Sequence, residues 1–153
     1  MAAQLTPDES AALRHWSIYG QKGEPPSDRV KASDRTTSPI NAPVTSSWNQ
    51  VVPRSQLPKL LNGFKPSAME DKWFVYVEGP DRHGMAMVHM ARSWTGHMMA
   101  DVKLEFPPDD AADAKFTQVA WEADKERHRT QTEEGAKKMV REVCGWCMDV
   151  ILP

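Results

Sequence analysis

The sequence predicts an α+β fold: a four-stranded antiparallel meander with a C-terminal helix packed on one face, preceded by an N-terminal helix and an extended arm. Three observations carry this reading. Residues 97–106 alternate strictly: Met98, Ala100, Val102, Leu104 and Phe106 share one face, and His97, Met99, Asp101, Lys103 and Glu105 the other, the pattern of a half-buried strand. Ala136, Val140, Val143, Cys144 and Cys147 recur at helical spacing near the C-terminus, which makes one apolar stripe. Residues 20–47 hold Pro25, Pro26, Pro39 and Pro43 among many Ser, Thr, Asp and Lys. They keep neither a strand nor a helix period, as an arm or linker does.

Thr6, Pro7 and Glu9 read as the start of a short helix through Ala11, Ala12, Leu13 and Trp16, because Thr caps, Pro suits the first turn and Glu completes a capping box. The chain therefore divides into a helix and proline-rich arm over 1–50 and a compact domain over 51–153. Leu57-Pro58-Lys59-Leu60-Leu61 makes one helical turn, ended by Asn62-Gly63. Trp73 to Val77 is a strand by residue type. Residues 79–84 are a loop, and Met85 to Arg92 is the second strand, with Met85, Met87, His89 and Ala91 opposite Ala86, Val88, Met90 and Arg92. The third strand is 97–106 and the fourth lies within 115–122. Thr130 with Glu133 fits a capping box at the start of the last helix.

Composition excludes several classes. A net charge of -2 and a pI near 6.2 argue against a partner as extended as a nucleic-acid duplex, though not against one phosphate pocket. No apolar run reaches the length of a membrane span. Met1 to Leu5 lacks the basic and apolar segments of a signal peptide, so the expected location is cytoplasmic. Two cysteines do not build a disulfide scaffold. Mean hydropathy of -0.60 is polar for one compact domain, which agrees with an arm outside the core. The arm is also long enough to allow a homodimer built through it.

Two dense runs mark the candidate site. Met69-Glu70-Asp71-Lys72-Trp73-Phe74 opens the first strand, and Arg92-Ser93-Trp94-Thr95-Gly96-His97 joins the second to the third. Turns need Gly, Asn, Asp or Pro but not Arg and Trp. Alternation puts Arg92 on the core face, where its guanidinium needs an acceptor. That acceptor is either Glu70 or Asp71 in an internal pair, or the phosphate or carboxylate of a ligand. Ser93 and Thr95 offer hydroxyls, Lys72 a second cation, and Trp94, Tyr76 and Trp121 aromatic surface for a planar group. Glu70 and Asp101 are the carboxylates positioned for acid–base work.

Other constellations are weaker. A triad from Ser93, His89 or His97, and Asp101 lacks the required arrangement, because His97 and Asp101 share one strand face. His83, His89, His97 and Asp101 lack a firm third metal ligand, so no metal and no cofactor are expected. Cys144-Gly145-Trp146-Cys147 matches Cys-x-x-Cys but falls late in a helix, whereas the redox motif opens one. Small core thiols are the plainer reading.

At these two runs the chain resembles a group of small bacterial and fungal proteins of uncharacterised activity. They carry both runs about twenty residues apart, before a similar strand and a closing helix. The likeness covers residues 53–153. Some bacterial members accompany ADP-ribose-processing modules, which implies a nucleotide or ADP-ribose link and carries no catalytic residues over. The Met-rich strand from Met85 to Met90 departs from the bacterial pattern and allows a different ligand.

The first expectation is a small domain that binds, and in one version hydrolyses, a phosphate-bearing nucleotide-like small molecule related to ADP-ribose. An alternative is a cofactor-independent isomerase, cyclase or hydrolase of secondary metabolism, with an enclosed apolar cavity lined by Met87, Met99 and Trp121. Another is a non-catalytic interaction module. Whether Glu70 meets Arg92 in a pocket or in a dry core discriminates among them.

Overall fold

A computed structural model describes residues 29–108, 112–126 and 132–153. The helix expected from Thr6 lies outside the described residues. Five strands, β1 (Pro43–Val52), β2 (Trp73–Glu78), β3 (Met85–Arg92), β4 (Met98–Glu105) and β5 (Ala114–Glu122), form one antiparallel sheet of order β1-β5-β4-β3-β2. The meander from β2 to β5 is as the alternation predicts. The fifth strand is the correction: β1 lies largely within the stretch assigned to the arm and pairs with β5 along the sheet edge. It reads as linker because its exposed half, Pro43 to Ser47, is Pro, Thr and Ser with a single Val.

One face of the sheet carries the helices α1 (Leu57–Asn62) and α2 (Glu133–Met148). Leu57, Leu60 and Leu61 of α1 and Ala136, Val140, Val143, Cys144 and Met148 of α2 are buried there against Val75, Val88, Val102, Phe116 and Val119. Each large apolar side chain so buried is worth about 1.5–3 kcal/mol. Thr132 caps α2, its hydroxyl accepting from the Gly135 N–H at 3.0 Å. The capping residue is therefore two positions beyond Thr130, which lies outside the described residues. Asp149, in the left-handed conformation, and a 3.0 Å bond from the Val150 N–H to the Cys144 carbonyl close the helix.

Residues 29–42 cross the back face. Val30 and Ile40 join Phe74, Tyr76, Ala91 and Met98 in a second, smaller core. This explains why β2 is buried on both faces: Trp73, Val75 and Val77 point to the helices, Phe74 and Tyr76 to the crossing segment. The segment is held at both ends. The Val30 N–H donates to Asn62 O at 2.9 Å. The buried Glu122 carboxylate accepts the Asn41 and Ala42 N–H groups at 2.6 and 2.9 Å.

Register shifts interrupt the alternation, one of them between Ser47 and Gln50 in the β1–β5 pair. Met90 pairs with Ala100 but Ala91 with Met98, so Met99 is the extra residue. Met98 consequently turns to the back core and Met99 to the helix-covered core, the reverse of the strict period. Another shift, between Lys103 and Leu104, leaves Thr117 without a partner in β4.

Candidate functional site

The β3–β4 connection is a tight loop. The Arg92 N–H donates to His97 O at 3.0 Å, and the Gly96 N–H to Arg92 O at 2.8 Å. Gly96 has φ +74°, and a Cβ there would stand 2.6 Å from the Thr36 carbonyl oxygen. Only glycine lets the loop and the crossing segment approach this closely. The contact is completed by bonds from the Ser38 N–H to Gly96 O at 2.8 Å and from the Met98 N–H to Ser38 O at 3.0 Å.

Between this loop and the turn at Ala32–Asp34 lies an open polar cleft of about 560 Å3. Arg35 and Lys65 supply its cations, Thr36, Ser93 and Thr95 its hydroxyls, and Trp94 an aromatic wall. The Trp94 ring is 72% exposed, yet its Nε1–H donates to Met69 O at 3.0 Å. An exposed ring pinned in this way is a preorganised platform. Thr95 Oγ1 accepts from the His97 N–H at 3.2 Å, which leaves its proton for a ligand. The Ser93 hydroxyl donates to Asp71 O at 2.6 Å. The one carboxylate among the described lining residues, Asp34, accepts the Lys31 N–H at 2.8 Å.

The runs expected to act together divide between loop and core. Arg92 does turn to the helix-covered face, but its guanidinium lies over the Trp73 ring, 4.5 Å from the centroid. Partial burial lowers its pKa. No carboxylate pairs with it among the described residues, so neither an Arg92–Glu70 nor an Arg92–Asp71 bond forms. Glu70 and Lys72 are exposed and do not line the cleft. Asp71 closes its own turn: its carboxylate accepts the Ser67 and Ala68 N–H groups at 2.9 and 3.0 Å. Those backbone donors hold its pKa below the usual carboxylate range. The aromatic set does not converge either. Trp73 and Trp121 are in the helix-side core, Tyr76 is in the back core, and Trp94 is on the loop. Nor do Met87, Met99 and Trp121 enclose a cavity, because Met99 and Trp121 are buried in the helix-side core while Met87 is half-buried on the opposite face.

Asp101 has a different role from the one its sequence position suggests. It stands opposite His89, which stands opposite Tyr76. His89 Nδ1 is 2.6 Å from Asp101 Oδ1, and Nε2 is 2.8 Å from Glu78 Oε1. The imidazole stacks on the Tyr76 ring at 4.6 Å and 23°. Burial, and then the Glu78 charge, raises the Tyr76 phenol, while the Thr37 hydroxyl bonds to it.

Cys144 and Cys147 are free thiols, pushed up to about 12 and about 11 chiefly by burial. Both are protonated at neutral pH, as core thiols are.

Sequence reasoning missed Arg35, Lys65 and Glu78. Arg35 lies in a stretch with no period, and Lys65 follows a turn. Nothing local separates either from a solvated cation. Glu78 had a signal in the alternation of β2, which puts it on the face of Tyr76. Comparison with protein-family models, curated proteins and solved structures finds no match to this chain.

Proposed function

We propose that the chain binds a phosphate-bearing, nucleotide-like small molecule in the cleft between residues 33–36 and the loop Ser93–Gly96. The observation that carries this reading is the exposed but hydrogen-bonded Trp94 ring beside Arg35 and Lys65. A planar base stacks on such a ring for about 1–3 kcal/mol, and the two cations suit phosphate oxygens. The Thr95 hydroxyl adds a neutral donor. The resemblance to proteins that accompany ADP-ribose-processing modules makes ADP-ribose the first probe. Binding rather than hydrolysis is what these side chains supply, since Glu70 lies outside the cleft and the Asp34 carboxylate already serves the backbone.

Isothermal titration calorimetry with ADP-ribose and ADP tests the reading. The unaltered chain should bind at least one of them. Arg35→Ala combined with Lys65→Ala should weaken binding more than tenfold, and Trp94→Ala by about five- to a hundredfold. Arg92→Ala should leave the affinity unchanged, because Arg92 belongs to the core. No heat from the unaltered chain with either ligand, or equal affinity in the double variant, would refute the assignment.

A further inference from the structure

The two outer edges of the sheet differ. At β2 the edge is occupied: Phe64 exchanges hydrogen bonds with Val75, each 2.9 Å, and the Arg29 guanidinium donates to Val77 O at 2.7 Å. At β1 the edge is bare over residues 44–47. Ala42 O accepts the Ala123 N–H at 2.9 Å, and alternate residues of an antiparallel strand bond to the same side. Val44 and Ser46 therefore bond to β5, whereas Thr45 and Ser47 turn their N–H and C=O groups outward. Among the described residues those groups meet only the Ser46 hydroxyl, 3.3 Å from Ser47 O, and Thr45 and Ser47 are both exposed.

Edge strands are ordinarily guarded by charge, proline or a bulge. The ten residues of β1 carry no charge, and Pro43 and the register shift after Ser47 stand at the ends of the bare stretch rather than inside it. On the helix-covered face the same edge exposes apolar surface. Val44 and Ser46 stand opposite Trp121 and Val119 of that core, so they share its face with Trp48, which stacks on Phe116. Val44 is 43% exposed and Trp146 of α2 is 73% exposed. Trp48 and Trp146 line an open groove of about 610 Å3 with Glu134, Glu142, Lys138 and Arg141. A groove of both signs suits an identical surface turned through a two-fold axis, where cations of one copy meet carboxylates of the other. A peptide of one charge sign has no such match.

We propose that β1 pairs antiparallel with β1 of a second copy of this chain, joining the two sheets into one across a two-fold axis. One register uses both outward residues. With Thr45 opposite the partner's Ser47, each exchanges N–H···O bonds with the other. Ser46 then faces the partner's Ser46, and the exposed Val44 lies against the partner's Trp48, an aliphatic–aromatic cross-strand pair. A shift by two residues either way sets an outward position against Pro43, which has no N–H, or against Asn49 in the irregular stretch. The axis runs perpendicular to the sheet, so both α2 helices lie on one side and their Trp146 grooves join. The interface stands independently of the Trp94 cleft, and either can fail without the other.

The test is sedimentation equilibrium of the full chain from micromolar to millimolar concentration, where the mass should rise to twice 17.2 kDa. Thr45→Pro removes an outward donor and no bond to β5, a change that an edge strand tolerates, and should weaken association at least tenfold. Ser46→Lys sets like charges opposite each other and should weaken it as well. Ser46→Cys reads the register. Residues opposed at such a site stand about 4.5 Å apart at Cα, within disulfide reach, so mild oxidant should link two chains, whereas Asn49→Cys should not link. A monomer at every concentration, association unchanged in Thr45→Pro, or equal cross-linking in the two cysteine variants would overturn the proposal. An amide spectrum of each variant separates loss of association from loss of fold.

Discussion

Glu122 shows how much one side chain can organise. It is the one buried carboxylate among the described residues, and it accepts backbone N–H groups from Asn41, Ala42 and Asp124. Hydrogen bonds to a buried charged group are worth about 1.5–3 kcal/mol each, and an amide in its place turns one acceptor into a donor facing a donor. Glu122→Gln should therefore lower unfolding stability by about 2–3 kcal/mol in urea, with residues 38–42 losing amide protection first. An unchanged midpoint would mean that the crossing segment is held elsewhere. Asp71 provides the pH case. Its folded pKa is depressed by the Ser67 and Ala68 amides, so its contribution is present above the unfolded value and lost as pH falls through the folded one. The Ser67 and Ala68 amide shifts should titrate together below the usual carboxylate range, and Asp71→Asn should abolish that titration.

At the scale of elements, α2 owes its start to Thr132 and its packing to the stripe from Ala136 to Met148. Removing the capping oxygen in Thr132→Ala should cost about 1 kcal/mol, read as a lower thermal midpoint without change in helix content once folded. The stripe and the strands β2 to β5 were legible because periods of 3.6 and 2 are properties of the backbone. Met98 and Met99 take the opposite faces from those the strict period gives, because a bulge shifts it by one residue, and nothing in their side chains marks it. β1 escaped because an edge strand buries little apolar surface and so carries a weak pattern: Ser46, Ser47 and Asn49 lie among its exposed or half-buried positions.

At the scale of the molecule, charge is the useful handle. The chain is net negative at -2, while the Trp94 cleft presents Arg35 and Lys65. An anionic ligand held there should bind less tightly as salt rises from about 50 to 300 mM, since exposed charges are screened over roughly 6–14 Å in that range. Lys65→Ala should flatten that dependence. Affinity independent of salt would place the ligand on apolar surface instead. Among the described residues no helix is long and apolar enough to cross a membrane.

The Arg-Ser-Trp-Thr-Gly-His run holds side chains that a turn does not need, and its parts serve different ends. Arg92 stacks on Trp73 in the helix-side core, Ser93 ties the loop to Asp71, and Trp94, Thr95 and Gly96 face the cleft. Local chemistry along the chain determined the α+β class, the order of the β2–β5 meander, the apolar face of α2 and the loop that carries Trp94, because each follows from spacing, propensity and turn residues within a few positions. Tertiary structure alone decided the fifth strand, the crossing segment on Glu122, the gathering of Arg35, Lys65 and Trp94 around one cleft, and the Glu78–His89–Asp101 row. Those partners are far apart in sequence, and the energies that bring them together come from buried surface and from hydrogen bonds that exist only once the sheet has formed.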